Sequence, residues 1–366
     1  VNAYNELVKS KCEDSILVKM AEAAESSKDG VYKTKDTMDL KEDKPNPKVD
    51  IAAKCKYELS FVEASDQWSE MYPKDKRTPT VDYVSAEIYK ARGHYDKCVP
   101  RYENIIKNAP KKHPYRSFAG ASLLDANYRL ERWNEVEKWA RYLLENKIFD
   151  VTPKTGLQQT IAFAINEKAK DLDEAKKPME AASELLRLAD EFPESDLAPG
   201  AVFNAAAYYE RGEQINKAIE TYERVVAMNP KDEKAKEKQI DRAAEALFVM
   251  GAIFESRADF DRAASYFERL ADEKYRDHER ASDAIYNAGV LREAMEQWDK
   301  AIEVYEKYID LYGKTGDEEV TKNVRELGMR MAHLEKEREN WKDALKRFES
   351  FTKRKDIKPN EVIEAN

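Results

Sequence analysis

The 366-residue chain is short of helix breakers: 11 residues are glycine and 13 are proline, and the prolines fall mostly where one helical pattern gives way to the next. Cysteine is scarcer still. Cys12, Cys55 and Cys98 all lie in the first 100 residues; with an odd count and no CxxC spacing, no cysteine metal site is expected. No run of 18 apolar residues occurs, so no membrane span is expected. A surplus of basic charge is absent too: the net charge is -9, whereas binding a phosphate backbone needs excess Lys and Arg. The basic clusters at Pro110 to His113 and Lys231 to Lys238 read as solvated connections, and no nucleic-acid partner is expected.

Enzyme signatures are missing as well. The four histidines, His94, His113, His278 and His333, form no HExxH pair, and there is no GxSxG, P-loop or GxGxxG stretch. Acidic groups such as Asp317-Glu318-Glu319 read as the charged first turn of a helix. No catalytic residue, metal or cofactor is expected.

What the chain does have is charge of both signs (37% of residues) laid over a helical period, as on solvated helix faces. The clearest stretch runs from Pro199 to Pro230, where Ala205, Ala206, Ala207, Tyr208 and Tyr209 precede a break at Arg211-Gly212-Glu213. Ala218, Ile219, Tyr222, Val225 and Val226 then form one apolar stripe before Asn229-Pro230 ends the pattern. Such a helix–turn–helix unit cannot bury its apolar face alone.

The unit recurs. Ile215, Ala218, Tyr222 and Val225 set a spacing that is repeated by Tyr95, Cys98, Tyr102, Ile105 and by Trp133, Val136, Ala140, Leu143. It returns as Pro178, Ala181, Leu185, Leu188, then Phe260, Ala263, Phe267, Leu270. Trp298, Ala301, Tyr305, Tyr308 and Trp341, Ala344, Phe348, Phe351 complete it. The small residue fits where the two helices of a unit approach closely. A small residue in the first helix (Ala86, Ala206, Gly251, Gly289) is followed three places later by Tyr89, Tyr209 or Phe254, and Pro110, Pro193 and Pro230 close units.

On these residues the chain resembles the tetratricopeptide-repeat family. The resemblance implies an all-α, right-handed α-solenoid of stacked antiparallel helix pairs; the spacing of the units departs from the family in exceeding the usual repeat of about 34 residues. Residues 79–353 are expected to hold seven such pairs, after an atypical helical cap at 1–78 with a charged loop at 28–48. Residues 354–366 read as a tail or the start of a further unit. Within the cap, Asn2 to Ser27 and Val49 to Tyr72 each read as one long helix. The chain starts at Val1 and reads as a mature or truncated polypeptide.

The family's first helices line a concave groove that binds extended or helical partner segments. By register, one groove position falls on Tyr83, Phe203, Phe248, Tyr286 and Met329, and the next turn on Glu87 and His333. The competing reading is that the longer helices rotate these residues into the core. Positions matching the family's carboxylate clamp lack its Lys/Asn/Arg set. Cys98 stands at a small-residue position and is expected to be buried. In an extracytoplasmic protein one disulfide could form, with Cys55 and Cys98 as the pair to test; otherwise the thiols stay free.

The phrase Ala189 to Gly212, with its Phe192-Pro193 and alanine-rich helix, is similar to bacterial cell-envelope members of the family. That likeness implies an adaptor in assembly, division or motility machinery, periplasmic or outer-membrane-associated through a complex, with the cytoplasm as the alternative location. A second reading is a peptide- or glycan-sensing domain accessory to an enzyme or regulator carried elsewhere.

Overall fold

The structure is a computed structural model that describes residues 12, 15–26, 48–148, 150–230 and 233–354. Among these residues every regular element is a helix. The chain divides into two compact units, residues 1–176 and 177–366. The expected loop at 28–48, most of the first half of the expected 2–27 helix, and the tail from 355 lie outside the described residues.

Unit 1 holds α1 (Ile16–Ser26), α2 (Ile51–Lys54), α3 (Lys56–Met71), α4 (Thr78–Ala91), α5 (Tyr95–Asn108), α6 (Tyr115–Arg129), α7 (Trp133–Glu145) and α8 (Lys154–Glu174). The helix expected over 49–72 is broken at Cys55, which adopts extended φ and ψ of -158° and 105°. The reason is covalent: Cys55 is joined to Cys12. Beside the disulfide, Glu58 is fully buried and accepts hydrogen bonds from the Ile16 amide and from Arg92 at the end of α4. A buried carboxylate must find partners of this kind, and these fasten α1 to α3 and α4.

Unit 2 holds α9 (Pro178–Glu191), α10 (Ala198–Arg211), α11 (Ile215–Ala227), α12 (Glu233–Ser256) and α13 (Phe260–Glu268), the last extended by a 3-10 turn at Arg269–Ala271. It continues with α14 (Ala281–Ala294), α15 (Trp298–Tyr312), α16 (Glu318–Glu337) and α17 (Trp341–Thr352). From α10 onward these are helix pairs stacked in sequence, a tetratricopeptide-like α-solenoid; α4 to α7 of unit 1 follow the same plan. Each second helix starts at the residue that opens its repeat pattern: Tyr95, Trp133, Pro178, Ile215, Phe260, Trp298 and Trp341. The long repeat has a specific origin. Most first helices have 14 or 15 residues, but α8, α12 and α16 have 21, 24 and 20, so alternate pairs are lengthened.

The turn inside each pair is uniform. Two residues before each second helix, φ is positive: Gly93 (76°), Glu131 (53°), Lys176 (61°), Glu213 (59°), Ala258 (58°), Glu296 (59°) and Glu339 (60°). Except after Lys176, the following amide reaches back to the first helix, as in Gln214 to Tyr209, Asp259 to Phe254 and Gln297 to Arg292. This is the six-to-one bond of a left-handed helix end. The sequence break at Arg211-Gly212-Glu213 is therefore made by Glu213; Gly212 has an ordinary φ of -82°.

Packing explains the small residues. Cys98, Val136, Ala181, Ala218, Ala263, Ala301 and Ala344 are all buried. In the first helices the fit is tighter still. A Cβ on Gly251 would lie 2.4 Å from the Phe267 ring, and one on Gly289 would lie 2.2 Å from the Tyr305 ring. No side chain fits there while the aromatic stays in place.

Candidate partner-binding face

Because residues three or four apart share a helix face, the groove register places Phe203 on α10, Phe248 on α12, Tyr286 on α14, and Met329 and His333 on α16, all half-buried in unit 2. Each aromatic rests against a ring from the second helix of its own pair. Phe203 meets Tyr222 at 5.5 Å, Phe248 meets Phe267 at 5.6 Å, Tyr286 meets Tyr308 at 5.9 Å and His333 meets Phe348 at 5.2 Å. In unit 2 these rings take an intermediate position, one part against the core and the rest at the surface.

A cleft of about 280 Å³ opens around Phe248, lined by Glu210 of α10, by Glu245, Val249 and Ala252 of α12, and by Arg280. Arg280 shapes it. Its Nε donates to Glu245 at 3.0 Å, and its guanidinium stands 4.8 Å from the centre of the Phe248 ring. A cation over an aromatic face is attractive, so Arg280 roofs part of the ring and adds a polar edge to an apolar floor. Next along, the Tyr286 hydroxyl donates to Glu326 at 3.3 Å. Burial, aided by the Glu326 charge, raises the Tyr286 phenol above its usual range, so it stays a neutral donor near neutral pH. On the same helices, Glu293 accepts from Tyr305 and from Arg330, both at 2.7 Å.

This arrangement can hold an apolar or aromatic side chain and hydrogen-bond the segment that carries it. Among the described residues no group of three or more His, Cys, Asp or Glu is placed to hold a metal, and no helix is long and apolar enough to cross a membrane. His278 pairs with Asp241 at 3.3 Å, and the His94 ring bonds the Val49 carbonyl at 2.8 Å.

In unit 1 the register leads elsewhere. Tyr83 is fully buried, stacked on Tyr115 at 4.3 Å and packed near Tyr102. Glu87 is 5% exposed and accepts from the Tyr102 and Ser122 hydroxyls at 2.8 and 2.9 Å. Both belong to the core and not to a binding face. The cysteine pairing also differs from expectation. Cys55 is bonded to Cys12, across a sequence separation of 43, and Cys98 is a free buried thiol. Cys98 points into the α4–α5 contact, where burial pushes its thiol far up, whereas the break between α2 and α3 turns Cys55 toward the N-terminal segment. Arg280 was not legible beforehand, since its connection carries no apolar period.

Three stretches match sequence models described as tetratricopeptide repeat: residues 199–232, 246–281 and 283–315. The first spans α10–α11 and the third α14–α15. The second starts at Ala246, inside α12, so the charged first half of that helix is an addition to the repeat. No curated protein matches the chain. Proteins built of such repeats are typically non-catalytic scaffolds for protein–protein interaction. Over these three stretches, the helix pairs around the Phe248 cleft are similar to tetratricopeptide repeats, and the likeness points to protein partners.

Proposed function

We propose that the chain is a non-enzymatic scaffold that docks an extended or helical segment of a partner protein on the first-helix face of unit 2. The observation that carries this reading is the file of half-buried rings, Phe203, Phe248 and Tyr286, on successive first helices, with the Arg280-roofed cleft around Phe248. Aromatic anchors set in a polar rim are where binding energy concentrates, and a helix face of this kind suits a segment presenting apolar side chains. The setting this reading favours is a bacterial envelope complex of assembly, division or motility machinery, periplasmic or outer-membrane-associated. The Cys12–Cys55 bond supports it, because disulfides persist in oxidising compartments.

The test is crosslinked affinity capture from envelope and cytosolic fractions, comparing wild type with a Val249→Glu, Ala252→Glu variant. These two residues line the cleft and are half-buried, so the charges enter the site with little disturbance of the core. Circular dichroism confirms folding first. A partner recovered by wild type and lost by the variant is the expected result; recovery of the same partner by both removes the cleft as its site. Fractionation solely with the cytosol would end the envelope setting and leave the scaffold reading intact.

A further inference from the structure

Unit 1 carries a different kind of cavity. It has a volume of about 300 Å³ and lies between the connection after α5 and the connection after α7. Lys111, Lys112, His113 and Arg116 line one side, Lys147 and Asp150 the other. The lining thus holds four cations and one carboxylate, in a chain whose net charge is -9. Lys111, Lys112 and Lys147 are exposed and form no ion pair among the described residues, unlike Lys138 with Glu135 or Lys170 with Glu167.

The walls are held in place. Arg116 Nε donates to the Ile106 carbonyl at 2.9 Å, which fixes the guanidinium and leaves its terminal nitrogens for another acceptor. The Val151 amide donates to the Ser117 hydroxyl at 3.0 Å, tying the second connection to the start of α6. His113 Nδ1 accepts from the Tyr115 amide at 3.4 Å, so its ring proton resides on Nε2 as a further donor.

We propose that this cavity binds a phosphate monoester group. Convergent Lys and Arg donors match a phosphoryl group, which offers three acceptor oxygens and close to two negative charges. A carboxylate would leave most of the local positive charge uncompensated. The cations form one pocket and not a stripe, so the site suits a single phosphate group and not a nucleic-acid backbone. The group has two possible carriers, a small phosphorylated molecule or a phosphorylated side chain of a partner.

Isothermal titration of the full chain with inorganic phosphate, a phosphoserine peptide, its unphosphorylated counterpart and acetate, at one ionic strength, tests the proposal. Phosphate and phosphopeptide should bind at least tenfold tighter than acetate and the plain peptide. A Lys111→Ala, Lys112→Ala, Lys147→Ala variant should weaken both at least tenfold; these side chains are exposed, so the fold should survive. Tighter binding of the phosphopeptide than of phosphate would identify a modified partner, and equal binding a free phosphorylated molecule. Equal affinity for acetate and phosphate, or an unchanged affinity in the variant, would overturn the proposal. The Val249→Glu, Ala252→Glu variant should bind phosphate as wild type does, so the two sites fail separately.

Discussion

At the turn before α15, Glu296 sits at a φ of 59°, where an L side chain crowds its own backbone. The same strain recurs at Glu131, Glu213, Ala258 and Glu339, while the turn before α5 avoids it with Gly93. Glu296 is exposed, so Glu296→Gly should relieve the crowding without losing a contact. The gain is reduced by the greater freedom of glycine in the unfolded chain. A net stabilisation of about 0.5–1 kcal/mol is expected from these opposing effects, read as a higher urea midpoint at unchanged slope. An unmoved midpoint would mean that the strain relieved is no larger than the entropy glycine adds to the unfolded chain. Gly289 works in the opposite sense. A Cβ there would meet Tyr305, a buried ring whose hydroxyl is tied to Glu293, so the ring cannot swing aside. Gly289→Ala should cost about 1–3 kcal/mol, and a loss below about 0.5 kcal/mol would show that the ring gives way freely.

At the scale of the helix, much was legible because it is periodic. The aromatic or apolar residue opening each second helix, the small residue three places on, and the closing proline each report a local contact repeated down the chain. That the units are long was legible from their spacing, but not that the added length lies in α8, α12 and α16, because the added part of α12, from Glu233 to about Glu245, is largely charged and shows no strong stripe. The left-handed turns were hidden because most use ordinary residues in place of glycine. The candidate site divides along the same line. Register put Phe203, Phe248 and Tyr286 at one position of successive first helices, where they are half-buried, but it could not know that Tyr115 and Tyr102 would close over Tyr83, or that Ser122 would complete the partners of Glu87. Pairing within units has a consequence in alkali. Tyr222 donates to Glu210 and Tyr305 to Glu293, each tying a second helix to its first. Burial foremost, with the neighbouring carboxylate, pushes both phenols far above their usual range. The folded state thus holds protons that the unfolded chain releases near pH 10. The stabilisation is complete below that pH and falls as pH rises beyond it. Absorbance at 295 nm and circular dichroism, followed together above about pH 10, should show these tyrosines ionising only as helix is lost. Their smooth titration with full helicity would refute the account.

On the scale of the whole molecule, helix pairs stacked within a compact unit differ from a globule in that each pair depends chiefly on its neighbours. Stability should therefore be local, and the disulfide offers a way to perturb one end. It links Cys12 to Cys55 across 43 residues, and Val18 of α1 joins the buried cluster around it, with Tyr57 packed alongside. Closing a loop of that length is worth about 4 kcal/mol in the chain-entropy description. Without the bond, α1 would still be held by the Ile16 amide on Glu58, itself paired with Arg92. A single hydrogen bond to a charged group contributes only about 1.5–3 kcal/mol, so the loss should show. Reduction, or Cys12→Ser, should speed amide hydrogen exchange over residues 15–26 and around Cys55, while amides in α10 to α15 keep their protection. Two outcomes would contradict this view. Unchanged exchange in residues 15–26 would mean that packing alone holds the N-terminal segment. Equal loss of protection in α10 to α15 would mean that the chain unfolds as one cooperative body, and the nearest-neighbour description of the stack would have to be given up.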